Sequence, residues 1–133
     1  MSDFLQEGLN KYDHGDFKDA INLYNMALDE DPYSAVIYYN RAVAFQSLNQ
    51  VGLAITDYTK VVELDPLFTN AFYNRAILYV SNKKYNEAIE DYNRAISTNK
   101  NHEYAYYNRG IAFELTGEFD RAFDDYEMAI KLN

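Results

Sequence analysis

A five-residue phrase recurs in this chain at a fixed interval of 34 residues, and this repetition constrains the fold more than any other feature. It reads Tyr-Tyr-Asn-Arg-Ala at Tyr38–Ala42 and returns with small changes at Phe72–Ala76 and Tyr106–Gly110. A second phrase, which ends in Asp-Tyr, keeps the same interval at Ala54–Tyr58, Ala88–Tyr92 and Ala122–Tyr126. Self-similarity at an interval of this size is typical of stacked supersecondary units. The sequence therefore predicts a repeat protein.

Each interval has the pattern of two amphipathic helices separated by a turn. In the first, Phe4, Gly8 and Tyr12 share one helical stripe, which the turn-forming segment 14–16 interrupts. A second stripe ends before Pro32, because the residue preceding a proline is pushed out of helical geometry. We expect an all-α fold of eight helices in a single array of four units, with the bounds 1–34, 35–68, 69–102 and 103–133.

Small side chains occupy two positions in every unit. One column lies in the first helix and consists of Gly8, Ala42, Ala76 and Gly110. The other lies in the second helix and consists of Ala20, Ala54, Ala88 and Ala122. Small residues let two helix axes approach to the short end of the usual range of about 8–10 Å. We therefore expect these columns to form the contact between the two helices of each unit.

Two columns of aromatic residues run beside the small ones. They consist of Phe4, Tyr38, Phe72 and Tyr106, and of Tyr24, Tyr58, Tyr92 and Tyr126. Aromatic side chains bury a large apolar area, and a buried tyrosine hydroxyl needs a polar partner. We interpret both columns as packing within and between repeats, in preference to a ligand cage.

These columns resemble the tetratricopeptide repeat (TPR) family, whose helix-turn-helix unit places aromatic, small and proline residues at set offsets. The second unit carries them as Tyr38, Ala42, Phe45, Ala54, Tyr58, Val61 and Pro66. The departures are local, since Lys11 stands where later units have an aromatic residue and Lys100 replaces the proline. The resemblance implies a right-handed α-solenoid of four antiparallel helix-turn-helix repeats that serves as a protein–protein interaction scaffold.

An arginine and an aspartate occur together in the last three units and are both missing from the first. The pairs are Arg41 with Asp57, Arg75 with Asp91 and Arg109 with Asp125. The planar guanidinium group is suited to two parallel hydrogen bonds with a carboxylate. We predict three structural ion pairs between the two helices of a unit. A catalytic carboxylate would be unusual in triplicate.

Composition and motifs exclude several classes of function. A net charge of −9 without a basic cluster argues against binding of nucleic acid or anionic lipid. The chain has no cysteine, and His14 and His102, interpreted as surface residues, lack metal-ligand spacing. No glycine-rich phosphate loop or nucleophile elbow occurs. We expect no enzyme activity, metal or cofactor. The cytoplasm is the default location, because no signal peptide or transmembrane segment is seen.

The resemblance implies where a ligand would bind, because the first helix of each unit in a TPR array lines a concave groove. Amides at one position in three units, Asn40, Asn74 and Asn108, can donate to and accept from a peptide backbone. In some TPR superhelices such an asparagine ladder holds an extended chain. The alternative is that these amides hold neighbouring helices or water. The other residues predicted to bind peptide are Tyr39, Tyr73, Tyr107, Val43, Ile77, Ile111 and Asn70.

Such a groove would be aromatic and nearly uncharged, which indicates a protein or peptide partner that is mostly uncharged or mildly basic. TPR clamps that hold the acidic C-termini of chaperones use Lys, Arg and Asn on three consecutive first helices. The matching positions here are Leu5, Leu9, Asn40, Asn70 and Asn74, of which only Asn40 fits. Ligand carboxylates would lose water without gaining a basic partner. We do not expect a chaperone clamp.

The last helix of the sequence carries an apolar face formed by Phe123, Tyr126 and Ile130. Terminal units of repeat proteins usually need a polar outer face. Self-assembly into a homo-oligomer through this face is therefore the alternative function. A tail-to-tail dimer would close, whereas stacking on the first unit of a neighbour would not.

Overall fold

The computed structural model describes residues 3–133, which form eight α-helices and no strand. The helices are α1 Phe4–Asp13, α2 Phe17–Glu30, α3 Ala35–Ser47, α4 Val51–Leu64, α5 Thr69–Ser81, α6 Tyr85–Thr98, α7 Glu103–Leu115 and α8 Phe119–Leu132. The predicted all-α fold of eight helices is confirmed. The bounds of the four units and the handedness of the solenoid stay predictions. None of the helices in this part of the chain has the length and apolar content that a membrane crossing requires.

The chain divides at Pro66–Leu67 into two compact units, each of which contains two helix-turn-helix pairs. In the first unit α1 packs on α2, α2 on α3 and α3 on α4. The second unit has the same order, from α5 to α8. In addition, α1 touches α3 and α5 touches α7. The first helices of each unit's two helix-turn-helix pairs are therefore direct neighbours.

Each helix-turn-helix pair turns through one residue with a positive φ angle. These residues are Gly15, Asn49, Lys83 and Gly117, with φ of 81°, 58°, 62° and 82°. The next residue donates its amide to a carbonyl five positions back, for example from Lys84 to Tyr79 at 2.8 Å. This bond closes the first helix in the manner of a Schellman motif. Glycine adopts the left-handed conformation without penalty, whereas a lysine side chain is strained by it.

The small-residue columns lie at the centre of each pair, where the helices are closest. All four alanines of the second-helix column are buried, as are Ala42 and Ala76 in the first-helix column. A methyl group added to Gly8 would lie only 2.5 Å from Cε1 of Tyr24, and one added to Gly110 only 2.7 Å from Cε1 of Tyr126. The rings of the tyrosine column therefore pack directly on the backbone at these two glycines.

The first three residues of the tyrosine column are buried, and the fourth is only partly buried. Tyr24, Tyr58 and Tyr92 are at most 1 % exposed, whereas Tyr126 is half-buried. In the first unit Tyr24 shares its cluster with residues of α3 such as Ile37 and Ala44. Burial raises the pKa of Tyr24 to about 12. The position of this column is that of core packing, as expected from the sequence.

Candidate peptide-binding surface and the ion pairs behind it

The structure brings each of the three arginines together with its predicted aspartate. Nε of Arg41 lies 2.7 Å from Oδ2 of Asp57, and Nη2 lies 2.8 Å from Oδ1. The same two-bond geometry occurs in the other two pairs, Arg75–Asp91 and Arg109–Asp125. Each pair joins the first helix of a helix-turn-helix pair to the second, so it fixes the angle and register between them.

These ion pairs are buried beneath aromatic rings. The side chain of Asp91 is 4 % exposed, and the guanidinium carbon of Arg75 lies 5.8 Å from the ring centre of Phe72 and 5.6 Å from that of Tyr79. Burial raises the pKa of Asp91, although its hydrogen bonds to Arg75 act in the opposite direction. A carboxylate that is removed from water in this way needs the opposite charge of its guanidinium partner to stay ionised. The role of the pair is structural.

The arginines of two ion pairs, Arg41 and Arg109, also bond to an asparagine, which was not predicted from the sequence. Nη1 of Arg41 donates to Oδ1 of Asn25 at 2.9 Å, and Nη1 of Arg109 donates to Oδ1 of Asn93 at 2.8 Å. Both asparagines lie on the second helix of the preceding helix-turn-helix pair. The guanidinium therefore holds consecutive pairs together as well as its own two helices. The sequence does contain a signal for this contact, because Asn25 and Asn93 occupy the same repeat position, two intervals apart.

All three ladder asparagines already take part in contacts inside the protein. Nδ2 of Asn40 donates to the carbonyl of Val36 in its own helix at 3.0 Å. Nδ2 of Asn108 donates to the hydroxyl of Tyr73 at 2.8 Å, from α7 to α5. Asn74 also takes part in an interaction. Asn108 behaves as the alternative interpretation expected, because its amide links two neighbouring helices. Binding of a peptide by the ladder stays a prediction.

Tyr73 is the centre of the surface formed by α5 and α7. Its ring packs on Tyr92 with ring centres 6.0 Å apart and on His102 with ring centres 4.7 Å apart. Burial raises the pKa of Tyr73, and the hydrogen bond from Asn108 opposes that shift. One predicted ligand-binding tyrosine is thus held by three internal contacts, and it is half-buried.

His102 is not the plain surface residue that the sequence suggested. It is half-buried and precedes α7, and its Nδ1 accepts a hydrogen bond from the amide of Ala105 at 3.1 Å. An acceptor at this position satisfies one of the amides left without a partner at the start of a helix. Burial lowers the pKa of His102, which favours the neutral ring that can accept this bond. His102 is therefore the N-cap of α7.

The other two predicted tyrosines also pack on the tyrosine column. Tyr39 lies 5.8 Å from Tyr58, and Tyr107 lies 5.7 Å from Tyr126, measured between ring centres. The hydroxyls of the column donate to side chains one helix away, from Tyr58 to Gln46 at 2.7 Å and from Tyr126 to Glu114 at 2.5 Å. The side-chain oxygen of Gln46 thus serves as an internal acceptor.

The other residues that were predicted to bind peptide differ in their exposure to solvent. Val43, Ile77 and Ile111 are half-buried, and Asn70 is exposed. On α7, Tyr104 is 62 % exposed, Tyr107 51 % and Leu115 51 %. We call the last three residues the α7 strip. No other first helix among residues 3–133 carries as many exposed large apolar side chains, and Asn108 follows Tyr107 on the same helix.

The end of the second unit is open and apolar. Phe123 is 62 % exposed and Ile130 is 75 % exposed. An open concavity of about 370 Å³ lies between α7 and α8, lined by Glu103, Tyr104, Tyr107, Tyr126, Ala129, Ile130 and Asn133. The three residues predicted to form an oligomer face therefore lie on one exposed surface of α8. Whether a second copy binds there stays a prediction.

Residues 3–133 contain neither a metal-ligand cluster nor an unpaired buried carboxylate. No group of three or more His, Cys, Asp or Glu side chains in this part of the chain is placed to hold a metal ion. The three buried carboxylates are each paired with an arginine. What the surface offers is amide hydrogen bonding and exposed aromatic area.

Known structures share this arrangement of helices. MamA superposes with a TM-score of 0.93 and 27 % identity, over 97 % of this chain and 75 % of that one. The first TPR of Spaghetti (RPAP3), bound to the HSP90 peptide SRMEEVD, superposes with a TM-score of 0.83 and 26 % identity, over 86 % of this chain and 90 % of that one.

Similar sequences occur as short segments of larger proteins. RNA polymerase II-associated protein 3 of Xenopus tropicalis is 38 % identical over 52 residues, which are 39 % of this chain and 8 % of the relative. Human tetratricopeptide repeat protein 28 is 44 % identical over 46 residues, which are 35 % of this chain and 2 % of the relative. The chain thus spans less than a tenth of either protein.

Models of the tetratricopeptide repeat match nearly every residue of the chain. One match covers residues 5–67, and two further matches cover residues 69–102 and 103–133. These are the segments that form the helix-turn-helix pairs, with their buried alanine and tyrosine columns. The chain therefore belongs to the tetratricopeptide repeat family.

Proposed function

We propose that this protein is a non-enzymatic interaction scaffold whose first helices bind an extended segment of a partner protein. The observation that carries the proposal is the α7 strip, in which three apolar side chains are more than half exposed beside the amide of Asn108. Exposed apolar surface of this kind usually marks a binding site. The structurally similar TPR of Spaghetti (RPAP3), bound to the peptide SRMEEVD, supports peptide binding as the function of the fold.

The side-chain amides of Asn40 and Asn108 keep hydrogen-bonding capacity after their internal bonds are made. A side-chain amide has two N–H donors and a carbonyl oxygen that can accept two bonds. Asn108 uses one donor on Tyr73, and Asn40 uses one on Val36. The remaining donor and the oxygen can bond to the backbone of an extended peptide. Because the backbone is common to all peptides, the amides supply affinity, and the α7 strip supplies selection for apolar or aromatic side chains.

The ligand we propose is uncharged or mildly basic, unlike the acidic peptide bound to the similar TPR. TPR chaperone clamps carry Lys, Arg or Asn at five positions, and four of these, Leu5, Leu9, Asn70 and Asn74, depart from the clamp pattern here. A peptide carboxylate placed beside them would lose its water without a charged partner in return. The net charge of −9 also opposes an acidic ligand at long range and favours a basic one.

The test is selection of binders from a displayed library of random 12-residue peptides, followed by anisotropy titrations with the enriched sequences. We expect aromatic or apolar residues with few carboxylates, and binding of SRMEEVD at least tenfold weaker. The double variant Asn74→Ala with Asn108→Ala should remove binding. Tyr73→Phe is the matched control, because it deletes the same internal hydrogen bond but keeps the Asn108 amide. Enrichment of acidic peptides, or equal loss in the Tyr73→Phe variant, would contradict the proposal.

A second candidate is self-assembly through the exposed face formed by Phe123, Tyr126 and Ile130. The exposure of Phe123 and Ile130 favours it, because an exposed apolar surface usually marks an interaction site. Light scattering behind a sizing column, at several concentrations, tests it. A mass that stays at 15.5 kDa would reject self-assembly, and a mass that rises and then falls back in an Ile130→Asp variant would support it.

A further inference from the structure

We propose that the cleft between α5 and α6 binds an arginine side chain of a partner protein. The cleft is open to solvent and has a volume of about 360 Å³, and its lining consists of Arg75, Tyr79, Asn86, Glu87, Glu90 and Asp91. We call it the α5–α6 cleft. The inference goes beyond the peptide-binding role of the first helices, because Tyr79 lies on a different helical stripe of α5 from Tyr73 and Ile77.

The α5–α6 cleft combines an aromatic ring with free carboxylates. Tyr79 is half-buried, whereas Glu87 and Glu90 are exposed and lie one turn apart on α6. Neither glutamate takes part in any of the ion pairs formed among residues 3–133. The face of an aromatic ring attracts a cation, and a carboxylate can receive two parallel hydrogen bonds from a guanidinium group. The cleft therefore has both elements that bind arginine.

The arginine that already lines the cleft does not neutralise these glutamates. Nε of Arg75 lies 2.7 Å from Oδ2 of Asp91, and Nη2 lies 2.8 Å from Oδ1. The charge of Arg75 is thus balanced by the buried aspartate behind it. Glu87 and Glu90 give the lining an excess of negative charge, which a positively charged ligand would balance.

A cleft at the same repeat position in the fourth helix-turn-helix pair receives a second arginine from the protein itself. This cleft has a volume of about 300 Å³. The positions of Arg75, Tyr79, Glu87, Glu90 and Asp91 are occupied there, 34 residues later, by Arg109, Phe113, Arg121, Asp124 and Asp125. The guanidinium carbon of Arg121 lies 5.7 Å from the ring centre of Phe113. An arginine on the α8 side of this ring is therefore an arrangement that the protein itself adopts.

The difference between the two clefts indicates the ligand. The lining of the fourth-pair cleft contains two arginines and two aspartates, so its charges balance. In the α5–α6 cleft the position of Arg121 is taken by Glu87, and Arg75 is the only arginine among residues 3–133 that lies over Tyr79. A partner's guanidinium group would supply the missing cation. A lysine fits less well, because an ammonium group has no plane that stacks on the ring or pairs with a carboxylate through two parallel bonds.

The probe is N-acetyl-arginine methylamide, titrated into the ¹⁵N-labelled chain and followed by NMR. We expect saturable shifts of the amides of Tyr79, Glu87 and Glu90, with an affinity in the millimolar range. The uncharged isostere N-acetyl-citrulline methylamide should bind weaker by about tenfold or more, and N-acetyl-lysine methylamide by about threefold or more.

Two reciprocal substitutions make the test specific for the cleft. Glu87→Arg supplies the α5–α6 cleft with its own arginine and should remove the shifts. Arg121→Glu should create a second site, detected as new saturable shifts at Phe113 and Asp124. Glu63→Arg is the matched control, because Glu63 is exposed on α4 and the change alters the net charge as much as Glu87→Arg does. It should leave the affinity within about twofold.

Several results would overturn the proposal. They are the absence of saturable shifts in the cleft, shifts that survive Glu87→Arg, equal binding of the citrulline analogue, and a loss in Glu63→Arg as large as in Glu87→Arg. A lack of new shifts in Arg121→Glu would also count against it. A dimer in sedimentation that Glu87→Arg dissociates would overturn it as well, by making a second copy the occupant. The Asn74→Ala, Asn108→Ala variant should leave probe binding unchanged, which separates this cleft from the peptide-binding surface.

Discussion

Arg75→Ala is the perturbation that most directly tests how the repeats are held together. The carboxylate of Asp91 is buried, with Nε of Arg75 2.7 Å from Oδ2 and Nη2 2.8 Å from Oδ1. Removal of the guanidinium group leaves this carboxylate without its charge partner. Such a change typically costs about 3–5 kcal/mol. Because single domains unfold with about 5–15 kcal/mol, the variant should lose a large part of its stability.

The loss should depend on pH in a direction that the structure fixes. Burial already raises the pKa of Asp91 in the folded protein. A raised folded-state pKa means that the folded state takes up this proton more readily than the unfolded state. The contribution of Asp91 to stability is then fully present below the unfolded pKa of about 3.9 and is lost as pH rises through the folded value. Removal of Arg75 raises that value further, so the deficit should be largest at pH 7 and smaller at pH 4.5.

Urea denaturation followed by circular dichroism at both pH values measures the effect. The double variant Arg75→Met, Asp91→Leu removes both charges and keeps the volume, so it should lie within about 1–2 kcal/mol of the native chain. Arg121→Ala is the control, because Arg121 is 70 % exposed and its nearest carboxylate, on Glu118, is 3.5 Å away. It should change stability by less than about 1 kcal/mol. The reasoning fails if Arg75→Ala is as mild as this control, or if the double variant is as unstable as Arg75→Ala.

Three further predictions concern the turns, the caps and the glycine contacts, and each is tested by thermal denaturation. Lys83→Gly should stabilise the chain by about 1 kcal/mol because φ of Lys83 is 62°, and Lys84→Gly, with φ of −95°, should not; equal effects would contradict this. The cap made by the neutral His102 should be fully present above pH 6.5 and be lost as pH falls through its lowered folded value. His102→Asn, which caps without titrating, should therefore lose about 1 kcal/mol less between pH 7.5 and 5.5, and an unchanged pH profile would refute the role. Gly8→Ala should destabilise more than Gly110→Ala, by about 1 kcal/mol, because Tyr24 is buried and Tyr126 can move; the reverse order would count against the contact.

The features that could be predicted from sequence are those that recur in three or four of the 34-residue repeats. The alanine and tyrosine columns and the arginine–aspartate pairs recur at one interval, so each position is tested several times within one chain. Contacts that link consecutive pairs were harder to see. An asparagine stands at this position in only two of the four repeats, as Asn25 and Asn93. The residue type alone does not indicate which helix its amide contacts.

The cap made by His102 and the positive φ angles in the turns were not predicted, for a different physical reason. A histidine before a helix can lie in solvent or cap the helix, and only the backbone geometry shows that its Nδ1 meets the amide of Ala105. The positive-φ position recurs in all four pairs, but it is filled by Gly15, Asn49, Lys83 and Gly117. Its repetition lies in the backbone, and Lys83 conceals it in the sequence.

The internal bonds of the candidate surface affect how a peptide would bind there. Asn108 holds the hydroxyl of Tyr73, whose ring packs on His102, and His102 caps the helix that carries Asn108. This closed set of contacts fixes the amide before any ligand arrives. A side chain that is already ordered loses little further entropy on binding, so its hydrogen bonds contribute more to affinity. It also follows that Asn108→Ala disturbs both the packing of α7 on α5 and the ligand contact. Only its comparison with Tyr73→Phe, which loosens the same packing and keeps the amide, separates recognition from support.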